Sequence, residues 1–372
     1  DQEDGVKRIL LVAGARPNFM KIAPIARRLA DDPGVFERKL VHTGQHYSAN
    51  MSQVFFDELD LPKPDVNLEV GSGSHAVQTA QIMERFEPVL LDFQPHWVVV
   101  PGDVNSTLAC TLVASKLGFR VAHVEAGLRS FDRSMPEEIN RIVTDQLADL
   151  LFTPSRDGDE NLRHEGVPEE KIRFVGNVMI DTLVCLLPKA EERWPSLRER
   201  FGLDRYLLAT LHRPSNVDDP ATLSEILSAL GEIAREIPVV FPVHPRTRGR
   251  IEESGLSLSS RNLLLLEPMG YLDFLSLEAH ASLVLTDSGG VQEETTYLGV
   301  PCLTARPNTE RPITVSLGTN RLVKSAKAEL VPAALEALKE GRRSGGEGLR
   351  AFEYWDGRAS DRIVNVFREV DE

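Results

Sequence analysis

WVVVPGDVNSTLACTLVASKLGFRVAHVE, residues 97–125, reads as strand, turn, helix and strand. The runs 97–101 and 121–125 are apolar without alternation, as expected of strands buried on both faces of a parallel sheet. Between them, 107–117 repeats its apolar residues every three to four positions, the period of a helix. A strand, a crossover helix and a second strand make a βαβ unit, whose connection requires parallel pairing.

The same alternation extends in both directions. Further apolar runs lie at 8–13, 39–43, 150–154 and 172–176, and a second series at 206–211, 239–243, 262–266, 283–286, 301–305 and 321–323. A helical stretch at 222–237 matches the one at 107–117. The pattern predicts α/β architecture with doubly wound parallel sheets. The series divides near 181–203, where a helix-like stretch runs into Pro188 and the charged segment AEERWPSLRERFGLD. Two domains are therefore expected, 1–181 and 182–357, facing a cleft at the carboxyl ends of their strands, where ligands of such sheets bind. The closing segment, 358–372, has Ile363, Val364, Val366 and Phe367 among charges and reads as an amphipathic helix packed on one of the domains.

Composition bounds the function. The chain has 372 residues, enough for two domains. With 42% hydrophobic and 26% charged residues it is ordinary for a globular protein. A formal net charge of -14 argues against wrapping nucleic acid or lying on an anionic membrane. Cys110, Cys185 and Cys302 are too scattered for a disulfide framework and read as buried thiols, which fits the cytoplasm. No apolar run is long enough for a membrane helix. The opening, DQEDGVKRILLVAG, reads as a first strand and not as a signal peptide.

Polar residues gather where the strands should end. Gly14 and Ala15 allow a sharp turn after the run 8–13, and Arg16 and Lys21 flank a helix start whose free N–H groups suit an anion. A tight turn with solvated cations would account for the same residues. Asp103 follows 97–101 and offers either acid chemistry or, with Asn105, a helix N-cap. His123 and Glu125, two apart on a strand, would share a side, but a metal pair there lacks a third ligand. Pro136 followed by Glu137 and Glu138 marks a helix start. Taken together, Asp103, Glu125 and Glu137 fall in three consecutive loops on one rim. Carboxylates gathered there repel one another's ionisation, which raises at least one towards neutrality and supplies an acid and a base.

The second half carries a counterpart set. His212 and Arg213 follow 206–211, and His244 follows 239–243. In LTDSGGVQEE, 285–294, a strand runs into Ser288, Gly289 and Gly290 and then a helix, so these amides can approach a phosphate. Glu293 or Glu294, one turn in, reaches a ribose diol. A capped helix whose acids complement its dipole would also explain this segment. Arg311 in TERP adds a cation. The sequence has no Walker loop, dinucleotide fingerprint, hydrolase elbow or metal motif.

These segments, ARPNFMKIAP, TGQH, PGDVNST, HVEAGLRS, PEEINR, GNVMID, HRP, PVHP, LTDSGGVQEE and TERP, stand in unbroken order over nearly the whole chain. The set resembles the non-hydrolysing UDP-N-acetylglucosamine 2-epimerases. The resemblance implies the GT-B fold, two Rossmann-like domains facing a cleft with the last helix returning to the first domain. It implies interconversion of UDP-GlcNAc and UDP-ManNAc through 2-acetamidoglucal, without cofactor or metal, in a cytoplasmic homodimer serving cell-envelope polysaccharide synthesis. It assigns catalysis to Asp103, Glu125, Glu137 and His212. Substrate binding falls to Arg16, Lys21, Arg129, Arg213 and His244, to Ser288, Gly289 and Gly290 for the diphosphate, to Glu294 for the ribose, and to Arg311 as support.

Two departures stand out. Gln45 and His46 match the family's allosteric segment, but Tyr47 and Ser48 follow, and no Arg lies in 70–75. Activation by a second UDP-GlcNAc is therefore expected to be weak or absent. The loop 131–135 is similar to that of enzymes acting on UDP-2,3-diacetamido-glucuronate, so a related UDP-sugar is an alternative substrate. A GT-B glycosyltransferase and a silent UDP-sugar sensor are rival readings on the same fold. Neither needs the acidic trio together with His212.

Overall fold

The computed structural model describes residues 5–44, 53–254, 261–342 and 352–370. Among these, thirteen strands form two parallel sheets. The first contains β1 (Lys7–Ala13), β2 (Phe36–His42), β3 (Val66–Asn67), β4 (Trp97–Pro101), β5 (Arg120–Val124), β6 (Leu150–Thr153) and β7 (Ile172–Phe174), in the order β3-β2-β1-β4-β5-β6-β7. The second contains β8 (Leu207–Thr210), β9 (Val239–Pro242), β10 (Leu263–Leu266), β11 (Leu283–Thr286), β12 (Cys302–Ala305) and β13 (Asn320–Val323), in the order β10-β9-β8-β11-β12-β13. Both sheets are doubly wound. The order reverses between β1 and β4 in one and between β8 and β11 in the other, and a ligand crevice opens at such a point.

The continuous apolar runs follow from burial on both faces. Leu207 and Ala209 of β8 enter one core with Phe241 and the helices Pro220–Ile233 and Lys327–Glu340. Leu208, one residue out of phase, enters the opposite core with Val240, Leu277 and Val291. β3 has only two residues and no apolar run, which is why the sequence pattern passes over it.

The chain divides into two compact units, Asp1–Thr182 with Glu353–Glu372, and Leu183–Phe352. The return to the first unit begins before the last helix because Trp355 is buried and donates to the Pro154 carbonyl at 2.9 Å, and Tyr354 stacks on Phe174. The helix Ala359–Glu369 buries Ile363, Val364 and Phe367 on that unit. Asp181 caps it, accepting from the Ala359 and Ser360 N–H groups at 3.0 and 2.7 Å.

Two expectations need correction. Pro188 does not end its helix, which runs through it and Pro195 from Val178 to Phe201. Pro188 and Val184, whose carbonyl it leaves without an N–H, both lie on an exposed face, away from the core. Cys185 is exposed on that face, while Cys110 and Cys302 are buried. Among the described residues no helix is long and apolar enough to cross a membrane.

Candidate active site

In the first unit the site residues stand at the carboxyl ends of β1, β4 and β5. Asn18 fastens the turn after β1, its Oδ1 accepting from the Gly14 and Ala15 N–H groups at 2.9 and 3.1 Å. Gly14 is required there, since a Cβ would collide with the buried Ser106 side chain. The helix Arg16–Ala30 then carries Lys21 inward, and its Nζ lies 2.8 Å from Glu125 Oε1. Arg16 stacks over Phe55 at 4.7 Å. Burial lowers its pKa, against the pull of Glu58.

Asp103 does not cap the following helix. The N-cap of Asn105–Lys116 is Val104, so the Asp103 carboxylate is released from that role. Arg141 holds it instead, with Nη2 and Nε at 2.7 and 3.1 Å from Oδ2. Asn140 donates to the Asp103 carbonyl at 2.9 Å. Glu138, the neighbour of Glu137, is consumed by structure. It accepts from the Ser130 N–H at 3.1 Å, from the Phe131 N–H, and from Arg141 Nη1 at 3.0 Å. Glu137 is left half-buried on the other face of the turn. Asp103 and Glu137 line one cavity of about 280 Å³, together with His75, Gln78, Asn105 and Asn140.

Glu125 is not among the residues lining that cavity. It lies just past the end of β5 in a left-handed conformation, φ 71°, with 5% exposure. Strand alternation therefore ends at Val124, and His123 and Glu125 do not form a pair. Nor do the three acids form a bare carboxylate cluster, because Arg141 stands beside Asp103 and Lys21 beside Glu125. A cation at each of these two offsets the mutual repulsion expected from the sequence.

His123 and Arg129 belong to a buried network around Asp145. His123 Nδ1 lies 2.5 Å from Asp145 Oδ1, and its Nε2 lies 2.7 Å from the Gly102 carbonyl. The Gly127 N–H donates to Asp145 Oδ2 at 3.0 Å. Asp145 thus fastens the loop before Asp103 and the loop after Glu125 from below. Burial would raise its carboxyl, but His123, Arg129 and the Gly127 amide together hold it below the usual range. Arg129, expected to face a diphosphate, instead binds Glu165 through two bonds of 2.8 Å and lies 2.8 Å from Asp145. Its side chain is 1% exposed, so it positions the site without reaching a ligand. Among the described residues no group of three His, Cys, Asp or Glu is placed to hold a metal ion.

In the second unit Asp287 spans the switch point. It follows β11 and accepts from the His212 N–H at 3.1 Å, the Arg213 N–H at 3.0 Å and Asn216 Nδ2 at 2.9 Å, all in the segment after β8. His212 Nδ1 lies 3.0 Å from Asp287 Oδ1. Burial would raise the Asp287 carboxyl, but His212 and these donors outweigh it, so the group stays ionised. A carboxylate at Nδ1 keeps the proton there and leaves Nε2 as a base on a side chain 60% exposed. Arg213 donates through Nε to the Asp287 carbonyl at 2.9 Å.

Ser288 is the N-cap of the helix Gly289–Leu298, and its hydroxyl makes no capping bond. Gly289 packs closely here, since a Cβ would run into the guanidinium of Arg311. A Cβ on Gly290 would meet nothing within 4 Å, so the space beside that glycine is open. Arg311 is buried and paired with Glu293 and Glu310. It supports this turn and is not a loose cation. Glu294 is buried with the Tyr271 hydroxyl 2.7 Å from Oε2. His244 caps the helix Pro245–Glu253, its Nδ1 accepting from the Arg246 N–H at 3.2 Å. Gln45 and His46 lie outside the described residues.

Sequence reasoning misses Arg141, Asp145, Asp287 and Tyr271. Asp287 has a signal, a lone carboxylate directly after a buried strand. Arg141 stands four residues after Glu137, one helical turn on. Asp145 and Tyr271 carry no such mark.

The family model described as UDP-N-acetylglucosamine 2-epimerase matches residues 27–368. The UDP-N-acetylglucosamine 2-epimerase of Methanocaldococcus jannaschii is 44% identical over 96% of this chain and 98% of its own length. The UDP-2,3-diacetamido-2,3-dideoxy-D-glucuronate 2-epimerase of Pseudomonas aeruginosa is also 44% identical, over 98% of this chain and all of its own. The crystal structure of the Methanocaldococcus jannaschii UDP-GlcNAc 2-epimerase in complex with UDP-GlcNAc and UDP is similar with a TM-score of 0.88 at 44% identity. That similarity covers 98% of this chain and 100% of that one.

Proposed function

The chain belongs to the UDP-N-acetylglucosamine 2-epimerase family, and from that premise we propose that it interconverts UDP-GlcNAc and UDP-ManNAc. The observation that carries the chemistry is the cavity shared by Asp103 and Glu137 at the carboxyl end of β4. In the first half-reaction a base removes the C2 proton. The C–H electron pair becomes the C1=C2 bond, and the anomeric C–O bond breaks with its pair leaving on UDP. The products are 2-acetamidoglucal and UDP. Reversal with the proton delivered to the opposite face gives UDP-ManNAc. No electrons are transferred overall, so the reaction requires no redox cofactor.

Epimerisation requires acid–base groups on both faces of C2. In this reading Asp103, Glu125 and Glu137 supply them, with the cations Arg141 and Lys21 paired to the first two. The family resemblance adds His212, with Nε2 available as a base. The helix end at Ser288 and Gly290, with Arg213 in the same unit, suits the diphosphate and Glu294 suits the ribose, while Arg16 is assigned to the ligand by the family resemblance. Cytoplasmic location, dimerisation and supply of an envelope polysaccharide rest on the family resemblance. So does the expectation of weak activation by a second UDP-GlcNAc.

A second reading, epimerisation of UDP-2,3-diacetamido-glucuronate, is favoured by the equal identity to the Pseudomonas aeruginosa enzyme. The test offers each nucleotide sugar separately and follows the anomeric proton signals. The first reading expects UDP-ManNAc from UDP-GlcNAc with the higher kcat/KM. The reverse ranking would replace it with the second.

A further inference from the structure

The cavity lined by Asp103 and Glu137 is also lined by the exposed His75, the first residue of the helix His75–Phe93. A chain of amides dictates how this imidazole is protonated. Gln78 Nε2 donates to the Gly71 carbonyl at 3.0 Å, so its Oε1 is turned to accept. Asn105 Nδ2 donates to that Oε1 at 2.9 Å. At the other end, Asn140 Nδ2 donates to the Asp103 carbonyl at 2.9 Å and reaches Asn105 Oδ1 at 3.3 Å. Two backbone carbonyls therefore fix the orientation of all three amides. Asn105 Nδ2 also lies 3.0 Å from His75 Nδ1. An amide nitrogen only donates, so Nδ1 accepts and the ring proton sits on Nε2.

We infer that His75 is a specificity-determining residue that donates its Nε2–H to the C2-acetamido carbonyl of the sugar. The inference rests on the proposed epimerase reading, because it takes Asp103 and Glu137 as groups acting at C2. A donor lining the same cavity as those carboxylates is then close to the substituent on that carbon. The acetamido carbonyl is the strong acceptor there, and Asp103 and Glu137, as carboxylates, provide no donor for it. The amides that satisfy the Gly71 and Asp103 carbonyls also hold this exposed histidine in a single tautomer, which leaves an N–H donor on Nε2 beside the carboxylates.

The test compares the wild type with His75→Ala and His75→Gln. Three readouts are taken: kcat/KM for UDP-GlcNAc, Kd for UDP alone, and the ratio of Kd values for UDP-glucose and UDP-GlcNAc. His75→Ala is expected to lose about tenfold or more in kcat/KM and to narrow the discrimination against UDP-glucose. Its Kd for UDP should not change. His75→Gln, which keeps an N–H donor, should recover part of the loss. Wild-type kcat/KM and discrimination in His75→Ala would overturn the assignment. So would an equal loss for UDP alone, which would mark a general structural role. If the wild type converted neither UDP-GlcNAc nor its diacetamido relative, the epimerase reading itself would fall, and His75 with it. His75 is exposed, so the thermal midpoint of His75→Ala should match the wild type.

Discussion

Lys21 Nζ lies 2.8 Å from Glu125 Oε1, joining the helix after β1 to the end of β5 with both side chains buried. Glu125 adopts φ 71°, a conformation that costs a residue with a Cβ about 1–3 kcal/mol and that clusters at functional sites. Replacing Glu125 by Gln leaves a buried ammonium without its counter-charge, which costs about 3–5 kcal/mol. The variant should unfold at lower urea and turn over substrate far more slowly. Lys21→Met with Glu125→Gln should regain much of the stability but not the turnover. Recovery of both would remove the pair from the chemistry.

Asp103 offers a cleaner separation of folding from catalysis. Its carboxylate faces a cavity, and Arg141 keeps Glu138 as a second partner, so Asp103→Asn keeps the shape while losing the ability to exchange a proton and the charge beside Arg141. Turnover should fall by about 10²–10⁴-fold while circular dichroism still shows a cooperatively folded chain at the assay temperature. Near-wild-type turnover would exclude Asp103 as an acid or base.

Arg129 provides the opposite case. Its guanidinium is committed to Asp145 and Glu165, so Arg129→Met strands a buried carboxylate and should cost about 3–5 kcal/mol of stability. Below its melting point the variant should bind UDP with unchanged Kd. A normal melt with greatly weakened UDP binding would return Arg129 to the ligand.

Glu294 makes a pH dependence. Burial lifts its carboxyl to about 7, against the Tyr271 hydrogen bond and with help from the Glu293 charge. The ordinary value is 4.5, so between about 4.5 and 7 the folded chain holds a proton that the unfolded chain has lost. This contribution to stability is full below 4.5, declines as pH rises through 7, and is flat above. Ionised Glu294 is the better acceptor for ribose hydroxyls, so UDP affinity should rise across the same window. Titration calorimetry of UDP from about pH 6 to 8, for wild type and Glu294→Gln, checks this. Identical slopes in the two proteins would contradict it.

The strands are legible in the sequence because burial on both faces writes a continuous apolar run, as in WVVVP. β3 is not, because Val66–Asn67 has no run to show. Asp103 and Glu137 are legible through their place after a strand and at a helix start. The burial of Arg129 is not, since its partners Asp145 and Glu165 are distant in sequence and nothing local distinguishes a ligand-facing guanidinium from a paired one. Glu125 is legible as a residue but not in its orientation, because alternation says nothing once the strand has ended in a left-handed residue. The proton position on His75 depends on four side chains from three helices, and no linear pattern expresses that.

The most direct measurement is incubation with UDP-GlcNAc in D2O, without any acceptor, followed by proton NMR at C2. The account predicts deuterium at C2 of the UDP-ManNAc formed and, as the reaction reverses, of the UDP-GlcNAc that remains. UDP-GlcNAc recovered with its C2 proton intact and no epimer formed would contradict it.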